Sequence, residues 1–273
     1  MRKRRLADCV TGFVRRAASV RECKKMGVVD LATRELRESV EGAELIVLCT
    51  PIAQMRTLVK QMLPVLKPGA IITDVGSVKG SVVRDLESMV AKAGAHFIGS
   101  HPMAGAEKMG VSAARSDLFV KAVCVVTPTG KSSGKAVRRI AGLWKSVGAH
   151  VIQMGPERHD ELVSRASHLP HMVAATLANL VLDPGWAQQQ PALCANGFRD
   201  TTRVASGSPE MWRDIAVANR RHLGGAIAMF IQDLKRIQRF IAKGDSQELM
   251  RFLMQAKHRR DDWAKKGART SPE

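Results

Sequence analysis

The stretch AIITDVGSVK at residues 70–79 decides the fold class of this chain. Its first half is apolar throughout, which is typical of a β-strand buried on both faces. An acid, a glycine and a serine follow, and SVVRDLESMVAKAG at 81–94 then has apolar residues at helical spacing. The next strand pattern is HFIG at 96–99. Strand, helix and strand in this order form a βαβ unit and predict a parallel sheet.

The same alternation extends on both sides of this unit. Further strands are predicted at CVTGFV (9–14), LIVLCT (45–50), AVCVVT (122–127) and HVIQM (150–154). From about residue 156 no strand pattern appears. Residues 211–244 are instead typical of one long amphipathic helix that ends at Gly244, with Asp245 and Glu248 capping the next.

We therefore predict an α/β architecture in two parts. Residues 1–154 would form a dinucleotide-binding domain built on a Rossmann-type parallel sheet. Residues 155–273 would form an all-helical domain. The length of 273 residues suits two ordinary domains.

Charge and composition narrow the function classes. Lysine and arginine number 43 against 25 acids, a net charge of +18 that fits either nucleic acid or an anionic small molecule. The chain has no tyrosine and 4% aromatic residues, and its basic residues concentrate at the two ends, so we predict no nucleic-acid partner. No apolar run is long enough for a membrane span or signal peptide. Five widely spaced cysteines suggest reduced thiols in the cytoplasm and no metal site.

Candidate cofactor contacts come from the ends of predicted strands. Parallel α/β sheets bind nucleotides at the carboxyl ends of their strands. This position selects Thr50, Pro51, Asp74 and Ser77. The expected G-x-G-x-x-G loop is absent, and GKSSGK at 130–135 fits a surface turn better than a phosphate loop.

Three further motifs gather chemistry-bearing residues. They are GSHPMAGAEKMG (99–110), RHDELVSRASHLPHMVAATLAN (158–179) and GFRDTTRVASGSPEMW (197–212). Histidines and an arginine outside charged runs suggest a site for an anionic substrate that needs an acid–base group. His168 suits either a buried backbone carbonyl or a role in the site. Asp200 and Arg203 suit either a structural ion pair or a site, and clustered charge favours the site.

With TDVGSVK (73–79), these motifs resemble the prephenate dehydrogenase family, which includes arogenate and cyclohexadienyl dehydrogenases, from about residue 8 to 265. The resemblance implies a nicotinamide-dependent oxidative decarboxylation of prephenate to 4-hydroxyphenylpyruvate in tyrosine biosynthesis, and a homodimer formed through the helical domain. Arogenate as substrate, or a truncated inactive chain that still dimerises, remains an alternative.

Residue roles follow from the same resemblance. His101 matches the catalytic base, Ser77 a serine that orients the substrate hydroxyl, and Arg203 the arginine that binds a substrate carboxylate. Glu107 matches a gating acid near the entrance. The other implied substrate-site positions are His159, Ser167, His171, Asp200 and Trp212.

Two departures from the family pattern concern the cofactor. The first strand and its glycine loop are not found, and we expect that the start codon was placed too far downstream or that the gene is truncated. After CVTGFV, Arg15 and Arg16 stand near the position where NAD-preferring relatives carry an acid. Two guanidiniums suit a 2′-phosphate, so NADP is predicted over NAD.

Overall fold

The fold was analysed in a computed structural model, which describes residues 4–104, 110–186 and 188–269. The chain divides into two compact units, Met1–Arg220 and Arg221–Glu273. Every described residue predicted for the site lies in the first unit. Glu107 falls outside the described residues.

The first unit begins with alternating strands and helices. The strands are β1 (Thr11–Phe13), β2 (Leu31–Thr33), β3 (Leu45–Leu48), β4 (Ile71–Asp74), β5 (His96–Pro102), β6 (Val123–Thr127) and β7 (His150–Gln153). The helices between them are α1 (Ala17–Met26), α2 (Leu36–Val40), α3 (Ile52–Met62), α4 (Gly80–Lys92) and α5 (Gly134–Ser146). The α/β class is confirmed, and GKSSGK forms the turn before α5 and its first residues.

The main sheet has five strands in the order β3-β4-β5-β6-β7. Strands β3, β4 and β5 are parallel, and β6 is parallel to β7 but antiparallel to β5. The predicted Rossmann-type parallel sheet is therefore confirmed, with one antiparallel pair, β5 with β6. A parallel crossover usually needs a helix, and the described residues between β5 and β6 hold only the short 3-10 turn Val111–Ala113.

A second, smaller sheet pairs β1 with β2 in parallel. The sequence patterns missed β2, because three residues are too few to show a periodicity. Strands β1 and β3 each have one edge to which no described strand is hydrogen-bonded. The predicted single sheet is thus divided into two: β1 and β2 form one sheet, and β3 to β7 form the other.

Apolar cores cover both faces of the main sheet. The adjacent residues Ile71 and Ile72 of β4 belong to different cores, as expected when successive side chains point to opposite faces. One core contains Val59 of α3 and Val90 of α4, and the other contains Trp144 of α5. The sheet that carries His101 is therefore fixed from both sides.

The rest of the first unit is helical. Its elements are α6 (Pro156–Val163), a π-helical turn (Ser164–His168), α7 (Leu169–Val181), a 3-10 turn (Gln190–Leu193), α8 (Asn196–Thr202), a 3-10 turn (Arg203–Ser206) and α9 (Pro209–Ala218). They are followed by α10 (Arg220–Ala242) and, wholly within the second unit, α11 (Ser246–Arg269).

The prediction of one long helix over 211–244 is wrong, because the helix is interrupted at Asn219. The side chain of Asn219 is buried and donates a hydrogen bond to the backbone oxygen of Asp160, 2.9 Å away. The predicted end at Gly244 is confirmed by its positive φ of 62°. Asp245 accepts from the Glu248 amide, which confirms Asp245 as the cap, whereas its own amide donates to the Phe240 oxygen and not to Glu248.

The second unit leaves many large apolar side chains exposed. They are Met229, Ile231, Leu234, Ile241, Met250, Leu253, Met254 and Trp263. Across the described residues, no helix is both long and apolar enough to cross a membrane.

Candidate active site

The candidate site lies beyond the end of β4, where β5 continues past its neighbour. The pairing of β4 with β5 ends at Thr73 and Ile98, and β5 runs on to Pro102 beside β6. This extension carries His101 out to the edge at which parallel strands end. Ligands of α/β sheets bind at that edge.

His101 is a buried histidine that contacts a second histidine. The residue is only 7% exposed, and its Nδ1 lies 2.9 Å from Nε2 of His159. Burial lowers the pKa of His101 well below 6.5, and the neighbouring His159, Lys79 and His168 lower it further. The imidazole is therefore neutral at pH 7 and can accept a proton or a hydrogen bond.

His159 is completely buried behind His101. Its Nδ1 lies 2.8 Å from Oδ1 of Asp160, and its side chain has no exposed surface. A contact of His159 with substrate stays a prediction, and its position indicates action through His101 instead. The sequence analysis missed Asp160, although a carboxylate directly after a histidine was a usable signal.

A buried ion pair lies next to His101. Lys79 contacts the Asp74 carboxylate and donates to the backbone oxygen of Ser100, 2.9 Å away. Burial lowers the pKa of Lys79, and the charge of Asp74 opposes this. Asp74 also accepts from the amides of Gly76 and Ser100. Because Asp74 is fully buried and engaged, its predicted cofactor contact has no support from this geometry and stays a prediction.

His168 closes the π-helical turn and is 1% exposed. The Asn219 amide nitrogen lies 3.2 Å from its Nδ1, so an amide N–H donated there leaves the ring proton on Nε2. Nε2 is buried and has no partner among the described residues, and the Ser77 backbone lies nearby, outside hydrogen-bond geometry. Burial lowers the pKa of His168 to about 4. Its Nε2–H is thus a buried donor close to the Ser77 backbone.

His171 stacks on Trp212, with ring centroids 3.6 Å apart and planes 9° from parallel. Gly207 makes this packing possible, since a Cβ there would lie 2.7 Å from Nε1 of Trp212. Nδ1 of His171 is also buried, with no partner among the described residues. Burial lowers the pKa of His171 as well. Ser167 is half-buried in the preceding turn.

Asp200 and Arg203 are exposed, in contrast to the histidines. Asp200 lies in α8 and Arg203 begins the following 3-10 turn. Both elements pack against α7, the helix that carries His171. The structure brings this segment next to the buried cluster but leaves both charged residues at the surface.

The remaining candidates follow strand ends. Thr50 and Pro51 come just after β3, and the Thr50 hydroxyl oxygen is buried with no partner among the described residues. Arg15 and Arg16 are exposed just after β1. Ser77 is half-buried in the turn between β4 and α4.

Two family models match the chain in sequence. Residues 1–153 match the nucleotide-binding domain of prephenate dehydrogenase, and residues 155–255 match its dimerization domain. Together they cover most of the chain.

Individual proteins are similar over the same range. The chain is 35% identical to a prephenate dehydrogenase of Bacillus subtilis over 239 residues, 87% of this chain and 64% of the relative. It is 33% identical to a cyclohexadienyl dehydrogenase of Zymomonas mobilis, with 87% of this chain and 81% of that protein covered. The chain thus spans less than two thirds of the Bacillus relative.

A solved structure is similar in fold. It is the prephenate dehydrogenase of Aquifex aeolicus in complex with hydroxyphenyl propionate and NAD+, 30% identical with a TM-score of 0.89. The similarity covers 96% of this chain and 91% of that chain.

Proposed function

Because the chain belongs to the prephenate dehydrogenase family, we propose that it catalyses the NAD(P)-dependent oxidative decarboxylation of prephenate to 4-hydroxyphenylpyruvate. The observation that carries this proposal is the buried, neutral His101 at the end of the sheet. Oxidation of the ring alcohol needs an acceptor for the hydroxyl proton, and a neutral imidazole is such an acceptor.

In the proposed reaction, the ring carbon loses its hydride, the ring carboxylate leaves as carbon dioxide, and the ring becomes aromatic. His101 takes the hydroxyl proton through Nε2 and returns it to the phenolate oxygen. Ser77, in the turn after β4, orients the hydroxyl. Aromatisation supplies the driving force, so a weakly basic imidazole is sufficient.

The residues at the strand ends fit a dinucleotide. The buried Thr50 hydroxyl has no partner among the described residues, which suits a ligand that donates or accepts a hydrogen bond there. Thr50 and Pro51 lie just beyond the carboxyl end of β3. Asp74 is the last residue of β4, and Ser77 lies just beyond it. When bound, the nicotinamide supplies the hydride acceptor. We assign NADP over NAD because Arg15 and Arg16 offer two exposed guanidiniums for a 2′-phosphate.

Substrate contacts are assigned to the helical part of the first unit. Arg203 binds a carboxylate, for which its planar fork is suited. The stacked rings of His171 and Trp212 form one wall of the substrate site, apolar at the indole and polar at the imidazole. Ser167 adds a hydroxyl. Asp200 supports Arg203, and Glu107 gates the entrance. His159 completes the set through its contact with His101.

The overall organisation is proposed on similar grounds. Residues 1–154 form the dinucleotide-binding domain and residues 155–273 the substrate and dimerisation domain, which the family matches support. The exposed apolar side chains of α10 and α11 favour a homodimer. Five free cysteines favour the cytoplasm.

A second candidate substrate is arogenate. The similarity to the solved arogenate dehydrogenase of Synechocystis, 31% identical with a TM-score of 0.79, favours it. Arogenate carries an amino group where prephenate carries a keto group, and one or two contacts in the site can decide between the two substrates.

The test is nicotinamide reduction by this chain with prephenate or arogenate, each with NADP and NAD in parallel. Turnover with prephenate supports the proposal, and faster turnover with arogenate favours the second candidate. No turnover with either substrate contradicts the proposed activity. Because burial lowers the pKa of His101, the acid limb of the kcat/KM profile is expected well below pH 6.5. An acid limb at or above pH 6.5 contradicts the role of His101.

A further inference from the structure

Three side chains form a continuous buried chain of hydrogen bonds. Nδ1 of His101 lies 2.9 Å from Nε2 of His159, and Nδ1 of His159 lies 2.8 Å from Oδ1 of Asp160. His159 is 1% exposed and Asp160 is 3% exposed. Each link therefore lies in a protected environment, where hydrogen bonds are strong and specific.

Asp160 is held at the first amides of α4. The Lys79 amide donates to Oδ1 over 2.7 Å and the Gly80 amide donates to Oδ2 over 2.8 Å. These groups start α4, where the helix dipole favours an anion. Gly80 allows the approach, since a Cβ there would lie 2.9 Å from Oδ2 of Asp160. Both oxygens of this carboxyl therefore accept backbone N–H groups, so the side chain acts as a hydrogen-bond acceptor on each side.

The direction of every hydrogen bond in this series follows from the two accepting oxygens of Asp160. Because Asp160 accepts here, His159 donates from Nδ1, and in the neutral form of that ring the lone pair is then on Nε2. Nδ1 of His101 must then donate to that lone pair. The remaining nitrogen of His101, Nε2, is left without a proton and has no partner among the described residues.

We propose that Asp160 is a positioning residue that acts through His159 to keep the His101 proton on Nδ1 and the lone pair on Nε2. The tautomer assignment stands on the hydrogen bonds alone, and its importance for catalysis rests on the proposed function. A carboxylate that orients an imidazole through its second nitrogen is a common arrangement around catalytic and metal-bound histidines. Here a second histidine is inserted between them.

The hydrogen bonds among these three side chains also explain why residue 159 is a histidine. A neutral imidazole donates a hydrogen bond at one ring nitrogen and accepts one at the other, and the rigid ring fixes the distance between them. It therefore relays the orientation of Asp160 to His101 without any charged form. An apolar side chain at 159 would fill the space but leave the tautomer of His101 unspecified.

The first measurement is the 15N NMR spectrum of the full chain labelled at its histidine rings, at pH 7 and without ligand. The His101 signals are assigned by their loss in His101→Asn. We expect a protonated Nδ1 and an unprotonated Nε2 for His101. A protonated Nε2 in the unmodified protein overturns the proposal, and this readout does not depend on any turnover.

The second measurement compares Asp160→Asn with the matched control Glu161→Gln. Glu161 is the next residue, partly exposed and paired with Arg158 and Arg165, and the same chemical change is made there. Asp160→Asn places an N–H where only acceptors fit, so the single tautomer of His101 is lost. We expect kcat to fall by about 10- to 100-fold with KM changed by less than about threefold, and no effect of the control. An Asp160→Asn protein with the native tautomer and native kcat overturns the proposal.

The third variant covers the case in which Asp160→Asn does not fold. His159→Leu removes the link but leaves Asp160 at the start of α4, so α4 keeps its cap. We expect a comparable fall in kcat and a mixture of His101 tautomers in a protein that still unfolds cooperatively. If His159→Leu keeps a single Nδ1-protonated His101, the relay is wrong. If the unmodified protein has no turnover with prephenate or arogenate, the proposed function fails, while the NMR spectrum still decides the tautomer.

Discussion

Two groups of residues in the candidate site differ in how the fold holds them. His101, His159 and Asp160 are buried and joined by hydrogen bonds of 2.8 and 2.9 Å. Asp200 and Arg203 are exposed on short elements that pack against α7. The first group is fixed inside the protein by its own hydrogen bonds, whereas the second lies at the surface, where a ligand can reach it. Substitutions in the buried group should therefore act on kcat, and substitutions in the exposed group on KM.

The most severe test of this difference is His101→Asn. Loss of the proton acceptor should reduce kcat by about 1,000-fold, with KM for prephenate within about threefold, measured by steady-state kinetics. His150→Asn is the control, because His150 is exposed in β7 and outside the site. Near-normal turnover of His101→Asn would remove the chemical role from the buried group.

Acid sensitivity provides a second test, at His168, which is buried beside the first group. His168 has a folded pKa of about 4 against 6.5 unfolded, so the unfolded chain binds more protons between these values. The free energy of unfolding should fall as pH drops from 6.5 to 4, by about 3 kcal/mol from this residue. Urea unfolding at several pH values measures it, and His168→Gln should lack this contribution. Equal pH dependence of both proteins contradicts the prediction.

Arg203→Ala tests the exposed group. A carboxylate that loses its guanidinium partner should raise KM for prephenate by about 10- to 100-fold, with kcat within a few-fold. Arg199→Ala is the matched control, since Arg199 is exposed on the same segment. An unchanged KM would mean that the exposed group does not bind substrate. A collapse of kcat instead would erase the distinction between the two groups.

The smallest effect is expected at the cofactor arginines. Arg15→Ala combined with Arg16→Ala should raise KM for NADP by about tenfold and leave KM for NAD nearly unchanged, because only the 2′-phosphate loses a partner. Both side chains are exposed, so added salt should reduce the difference. Equal changes for both cofactors would contradict the preference for NADP.

Sequence patterns predicted the parts of this fold that depend on local periodicity. The strand that ends at Asp74 and the helix after it could be predicted because an apolar run and a helical spacing each depend only on residues close together in the sequence. Strand β2 was too short for such a pattern, and the reversed direction of β6 is not encoded in periodicity at all. The interruption at Asn219 was missed because apolar spacing continues across it, while its cause is a contact with Asp160, 59 residues away.

The same limit applies to the site. His101 was found because it stands in a distinctive motif, whereas the role of Asp160 depends on amides 80 and 81 residues earlier. Lys79 was part of a quoted motif but was not selected, since a lysine is rarely expected to be fully buried. Contacts of this range are set by the packing of α6 on α4, which no single stretch of sequence reveals.

The burial of Lys79 has a consequence for chemical labelling. Its ammonium group has no exposed surface and is paired with Asp74. An amine-reactive reagent should therefore modify exposed lysines such as Lys67 and Lys257 in the native protein and reach Lys79 only when the sheet opens. Mass spectrometry of the peptide that contains Lys79 would then serve as a reporter of unfolding that needs no mutation.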